Sequence, residues 1–270
     1  MTILDLTEEY IALWAQGRSY DEYEKLYPSL FEHYFTYWCP REREEPALID
    51  EAIRERTKRV LRWVKETKQA FEKQGLDVSD FAVALFVGKH TSNGHAFLDG
   101  DRWVVWLPVE TYTSDSLARV FITHEIAHAL HYRMSPDFYF HDPEAKNHFG
   151  RQLITEGVAT YVTAEVLGIS DVEALWGDYL SPNQAEAWLS KCRNREGELR
   201  DLCRNRFSDS VPDCEIFIAN DPDDVLKFRA GYFAGLEVVR GVARNEESGL
   251  SDLLRLDRTL FERLALAEFR

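Results

Sequence analysis

The chain has no long apolar run, no CxxC pair and no excess of positive charge, and each lack removes a class of function. Its longest apolar stretches, Phe81 to Val87 and Val104 to Val109, fall far short of the roughly 20 residues that cross a bilayer as a helix. No membrane partner is expected. The segment from Met1 to Tyr10 carries Asp5, Glu8 and Glu9 and has neither a basic start nor an apolar core, so no secretory signal is read there. Four cysteines, Cys39, Cys192, Cys203 and Cys214, are spread along 270 residues. That spacing fits reduced, buried thiols in a cytoplasmic protein better than a disulfide framework, and it lends little support to a thiolate zinc site. The 32 basic residues are outnumbered by 47 acidic ones, a net charge of −15, which repels a phosphate backbone and disfavours nucleic acid as a partner.

What is present is the composition of a folded domain, 45% hydrophobic and 29% charged, in a chain long enough for one large or two small cores. Up to about Lys73 apolar residues recur at helical spacing, Ile11, Leu13 and Trp14, then Ile53, Val60, Leu61 and Val64, which predicts several helices. Pro40 and Pro46 flank the charged stretch from Arg41 to Glu45 and mark a loop. Phe81–Val87 and Trp103–Val109 are predicted strands, with a third within Thr91–Leu98 that turns back through Gly100-Asp101 and leaves one sheet edge open. After Pro108 the pattern is helical to the end. Cys-Arg-Asn occurs at 192–194 and again at 203–205, a spacing that brings the copies near one face of a helix; a repeat architecture needs three or more units. The expected fold is α+β and mainly α. Its regions are an N-terminal helical part (1–75), a core with a small sheet (76–170) and a C-terminal helical part (171–270), together one compact unit.

The chemistry is concentrated after Ser114, a good N-cap ahead of Asp115. Leu117, Val120, Phe121, His124, Ala127, His128 and His131 then follow one helical stripe. Within it stands His124-Glu125-Ile126-Ala127-His128. Residues four apart on a helix lie one above the other, so both imidazoles can reach one cation, while Glu125 stays beside it without ligating. A catalytic zinc needs a third protein ligand and an open position. The next predicted helix, about Lys146 to Leu167 and closed by Gly168, offers Glu156 in Ile154-Thr155-Glu156-Gly157-Val158-Ala159-Thr160-Tyr161. Gly157 costs a helix about 1 kcal/mol relative to Ala, which makes sense if this helix must approach the first one closely.

Taken together, HEIAH and the Glu of TEGVATY, 28 residues after the second His, resemble the gluzincin zinc metallopeptidases, and most closely the little-characterised predicted zinc-dependent proteases of bacteria. The resemblance covers about residues 81 to 167. It implies a zincin-like core, one zinc on His124, His128 and Glu156, Glu125 as general base and proton shuttle, and a sheet edge at Asn93–Leu98 that receives substrate backbone as an added strand. It departs from the metzincins, since positions 131 and 134 hold His and Met where those carry Gly and His. It departs also from gluzincins that carry an acid four residues after the ligand Glu, where this chain has Thr160; Asp142 and Glu165 are the alternatives for orienting a ligand.

An oxyanion donor is also required. Tyr232, in Phe228-Arg229-Ala230-Gly231-Tyr232-Phe233-Ala234-Gly235-Leu236, is the leading candidate because related proteases carry a similar Gly-Tyr segment; a tyrosine packed in the core between two glycines fits the same pattern. His131, His141, His148 and Tyr161 are further candidates, and His95 on the edge strand is placed to touch substrate. The expected activity is hydrolysis of peptide or protein substrates. A zinc hydrolase of another amide or ester, a non-catalytic metal-bearing protein and a helical interaction protein stand as alternatives. Oligomeric state and cleavage specificity have no signature.

Overall fold

The computed structural model describes residues 1–212, 214–247 and 249–269. It is mainly helical with one small sheet, an α+β fold. Two compact units divide the chain, Met1–Ala129 and the part from Leu130 onward. The first holds β1 (Thr2–Asp5), α1 (Thr7–Ala15), α2 (Tyr20–Glu24), α3 (Pro28–Tyr37), α4 (Asp50–Lys73), β2 (Ala82–Phe86), β3 (His95–Asp99) and β4 (Arg102–Pro108). The helix α5 (Asp115–Met134) runs through the division. The second unit holds α6 (Pro143–Lys146), α7 (Phe149–Leu167), α8 (Asp171–Trp176), α9 (Pro182–Asn194), α10 (Glu196–Arg206), α11 (Ala230–Asn245), α12 (Leu250–Leu254) and α13 (Arg258–Ala267).

In the first unit the sheet order is β1-β2-β4-β3, with β1, β2 and β4 parallel and β3 antiparallel to β4. Every residue of β2 is buried, the signature of a parallel strand covered on both faces. The β3–β4 hairpin closes through Gly100-Asp101, with Gly100 at φ +64°, where a side chain would be strained. β1 lies in a segment that the sequence assigned to helices; its four residues gain strand character only by pairing with β2, from Thr2 on Ala82 to Asp5 on Leu85. β3 starts at His95 and not at Thr91, because the Ser92 hydroxyl bonds the Gly94 carbonyl and Gly94 takes φ +154°, which turns the chain before pairing begins.

α4 presents Ile53, Val60, Val64 and Phe71 to the core, and Thr67 on it meets Thr123 of α5, Oγ1 to Oγ1 at 3.2 Å. Tyr20, Tyr23, Phe31, Tyr34, Phe86 and Trp106 form an edge-to-face aromatic core between α2, α3 and the sheet, the packing that ring quadrupoles favour. In the second unit α7 packs on α11 with no side chain between them at the crossing. A Cβ on Gly157 would stand 2.3 Å from the Gly235 carbonyl oxygen. Gly157 is therefore small for the sake of α11, where the sequence pointed to the HEIAH helix. The two Cys-Arg-Asn copies fall on different helices, α9 and α10, joined at Arg195, and Cys192 and Cys203 are both buried.

Candidate metal centre

The Ser114 hydroxyl accepts the Leu117 N–H at 3.0 Å, so α5 starts at the cap that its sequence supplies. The helix is buried nearly all round, with Ala118, Val120, Ile122, Ile126, Ala127 and Ala129 inaccessible to solvent, as expected for a central helix. On it His124, Glu125 and His128 are 4%, 6% and 1% exposed. The Nε2 atoms of His124 and His128 lie 3.1 Å apart, with their ring centroids at 4.7 Å and their planes at 81°. A cation about 2.05 Å from both, the usual zinc–imidazole distance, subtends about 98° between them, inside the range from octahedral to tetrahedral. The pair fits a divalent metal.

Glu125 packs against the edge of the sheet. Gly94 makes this possible: a Cβ there would lie 2.9 Å from Cγ of Glu125 and 2.7 Å from the Trp106 carbonyl oxygen. Next along the strand, His95 places Nδ1 3.8 Å from Oε2 of Glu125, and its ring centroid is 5.1 Å from that of His128. Trp38 lies 4.5 Å from the His95 ring, and His33 stacks on it at 6.5 Å with 5° between planes. Trp38 Nε1 donates to Nε2 of His33 at 3.3 Å. Four imidazoles, His33, His95, His128 and His124, thus form a row from α3 across β3 to α5. His95 was foreseen at the edge strand. Its closeness to Glu125, and the whole of His33, carry no local signal, because helices α3 and α5 meet β3 only in the folded chain.

The loop leading into β3 is held by a buried acid. Glu110 accepts the N–H groups of Gly88 at 2.8 Å and His90 at 3.1 Å, and His90 adopts φ +51°. Burial pushes the Glu110 carboxyl up to about 7, against the pull of those N–H groups and of Arg56. The Tyr112 hydroxyl donates to the Asn93 carbonyl, so the approach to Gly94 is pinned at both ends.

In the second unit, α7 begins at Phe149 with the His148 ring accepting the Arg151 N–H at 3.2 Å, and ends with Gly168 at φ +61°, the left-handed C-terminal residue its sequence predicted. Glu156 lies mid-helix and is 9% exposed. The Thr160 hydroxyl donates to the Glu156 carbonyl oxygen at 2.8 Å. Asp142 caps α6 by accepting the Ala145 N–H at 2.7 Å, and Glu165 is exposed. His131 is fully buried against Phe138, with ring centroids at 4.5 Å, His148 caps a helix and His141 is exposed. Each of these side chains thus has a structural or solvent-facing place. Tyr161, half-buried, packs on the apolar cluster around Trp176 and Leu236. Tyr232 is half-buried near the start of α11, under the Arg229 guanidinium at 4.2 Å and 6.2 Å from Phe217. The helix starts at Ala230, after Arg229 at φ +58°.

No known protein family, curated protein or solved structure matches this chain. Among the described residues no helix is long and apolar enough to cross a membrane.

Proposed function

We propose that the chain is a zinc-dependent peptidase of the gluzincin type. The ligand set proposed for it is His124, His128 and Glu156, with Glu125 as general base. The observation that carries the reading is the pair of buried imidazoles whose Nε2 atoms stand 3.1 Å apart on α5, with the Glu125 carboxylate beside them at the sheet edge. When bound, zinc supplies Lewis-acid polarisation of the scissile carbonyl and of water. Glu125 takes a proton from the attacking water and delivers it to the leaving nitrogen, a role suited to a buried carboxylate beside the metal-binding imidazoles. β3, the outer strand beside β4, accepts an extended peptide by backbone pairing, and Tyr232 is the proposed donor to the developing oxyanion. Four free, buried cysteines favour a reducing compartment, and we place the protein in the cytoplasm.

Metal analysis of protein purified without added zinc should give about one equivalent, the count for a single site. Glu125→Gln should keep that metal and lose hydrolysis of a mixed peptide library. Unchanged turnover in this variant defeats the mechanism. A zinc-loaded wild type that cleaves no peptide but hydrolyses small amides or esters moves the reading to the wider class of zinc hydrolases.

A further inference from the structure

The same helix is party to a second group of buried ligands. His95, Glu125 and His128 offer ligand atoms that all lie within 4.8 Å of one another. They are 3%, 6% and 1% exposed. His95 Nδ1 and Glu125 Oε2 are 3.8 Å apart; an ion about 2.1 Å from each can span up to about 4.2 Å, so both can ligate it with no movement of the backbone. The rings are held in advance: His95 between Trp38 and His128 with His33 stacked behind, and Glu125 against the Cβ-free face of Gly94. Two imidazoles and a carboxylate suit zinc and the neighbouring divalent transition metals.

We infer that His95, Glu125 and His128 form a second cation position, alternative to the one on His124, His128 and Glu156, in which the general base is itself a ligand. This rests on the reading of α5 as a metal helix. His128 belongs to both sets, so one ion occupies one position or the other. In the second, the ion takes the carboxylate lone pair that would accept a proton, and the chain is at rest. No bond of substrate is made or broken in the exchange; the ion trades Glu156 and His124 for Glu125 and His95.

The test is metal binding by the 270-residue chain, measured by equilibrium dialysis with zinc and by the visible absorption of bound cobalt(II), for His124→Ala, His95→Ala and the double variant, with circular dichroism as the check on folding. Expected are one equivalent in each single variant, different cobalt spectra in the two, and at least a hundredfold weaker binding in the double variant. Loss of metal from folded His124→Ala, with one equivalent kept by His95→Ala, overturns the second position and leaves the peptidase reading standing. Loss from His95→Ala, with one equivalent kept by His124→Ala, supports the His95 position and overturns the peptidase ligand set. Metal retained by the folded double variant overturns the inference. Should either alanine variant not fold, His124→Asn and His95→Asn, which keep a polar side chain of similar reach, are read in the same way.

Discussion

A carboxylate at 6% exposure beside two imidazoles is expensive to bury unless charge and geometry are shared, and Gly94 makes the room for it. In Gly94→Ala the new Cβ meets Cγ of Glu125 and the Trp106 carbonyl, so the carboxylate must swing away; kcat should fall about tenfold or more while metal content stays at one equivalent, since misplacement of a catalytic group by an ångström carries penalties of that order. Equal kcat in the two proteins would show that Glu125 does not act from this pose. Glu110 makes a separate prediction. Its folded value of about 7 lies above the ordinary 4.5, so the folded chain holds a proton there that the unfolded chain releases over that interval. The group's contribution to stability is whole below about pH 4.5 and is lost as pH rises towards about 7, a difference of about 3 kcal/mol. Glu110→Gln, uncharged throughout, should show a smaller fall in urea-unfolding free energy between about pH 5 and pH 8 than wild type; an unaltered slope would remove Glu110 as the cause. The Cys192 and Cys203 thiols, pushed up to about 12 by burial, should react with a disulfide reagent only as fast as the protein unfolds.

At the scale of elements, α7 and α11 depend on two glycines facing each other. Gly157→Ala places a methyl group 2.3 Å from the Gly235 carbonyl, and backbone cannot yield as a flexible side chain can. The variant should lose about 2 to 3 kcal/mol, the upper range for overpacking, despite alanine being the better helix former. A variant more stable in urea than wild type would show that the helices do not meet there. This crossing also marks the limit of local reading. A glycine next to Glu156 announces close approach, and TEGVATY alone does not say to which helix. The caps, by contrast, were legible: Ser114 opens α5 and Gly168 closes α7, because a cap is set by residues within one turn. β1 was hidden for the opposite reason. Its four residues carry no periodicity of their own and become a strand through partners about 80 positions away, Thr2 on Ala82.

For the whole molecule, metal and folding are expected to be linked, since ligands assembled from separate elements bind an ion only when those elements are folded. Stripping the metal with a chelator should lower the melting temperature, by an amount corresponding to about 4 kcal/mol if free zinc had stood at 1,000 times its Kd. His128→Ala, which removes the ligand shared by both proposed positions, should melt at the same temperature with and without chelator; a persistent difference would place the stabilising ion elsewhere. What the sequence alone determined is everything contained in a few turns of chain: a mainly helical composition, the helix carrying HEIAH, the hairpin at Gly100 and the capped helix of Glu156, for these follow from spacings of one, three and four residues. Tertiary structure decided the rest. His95 reaches Glu125, 30 positions later in the chain, where β3, held in register by β4, meets α5, and Gly157 finds Gly235 through the packing of α7 on α11. Neighbours of that kind are set by strand register and helix packing, which are properties of the folded chain and carry no local pattern by which to be read.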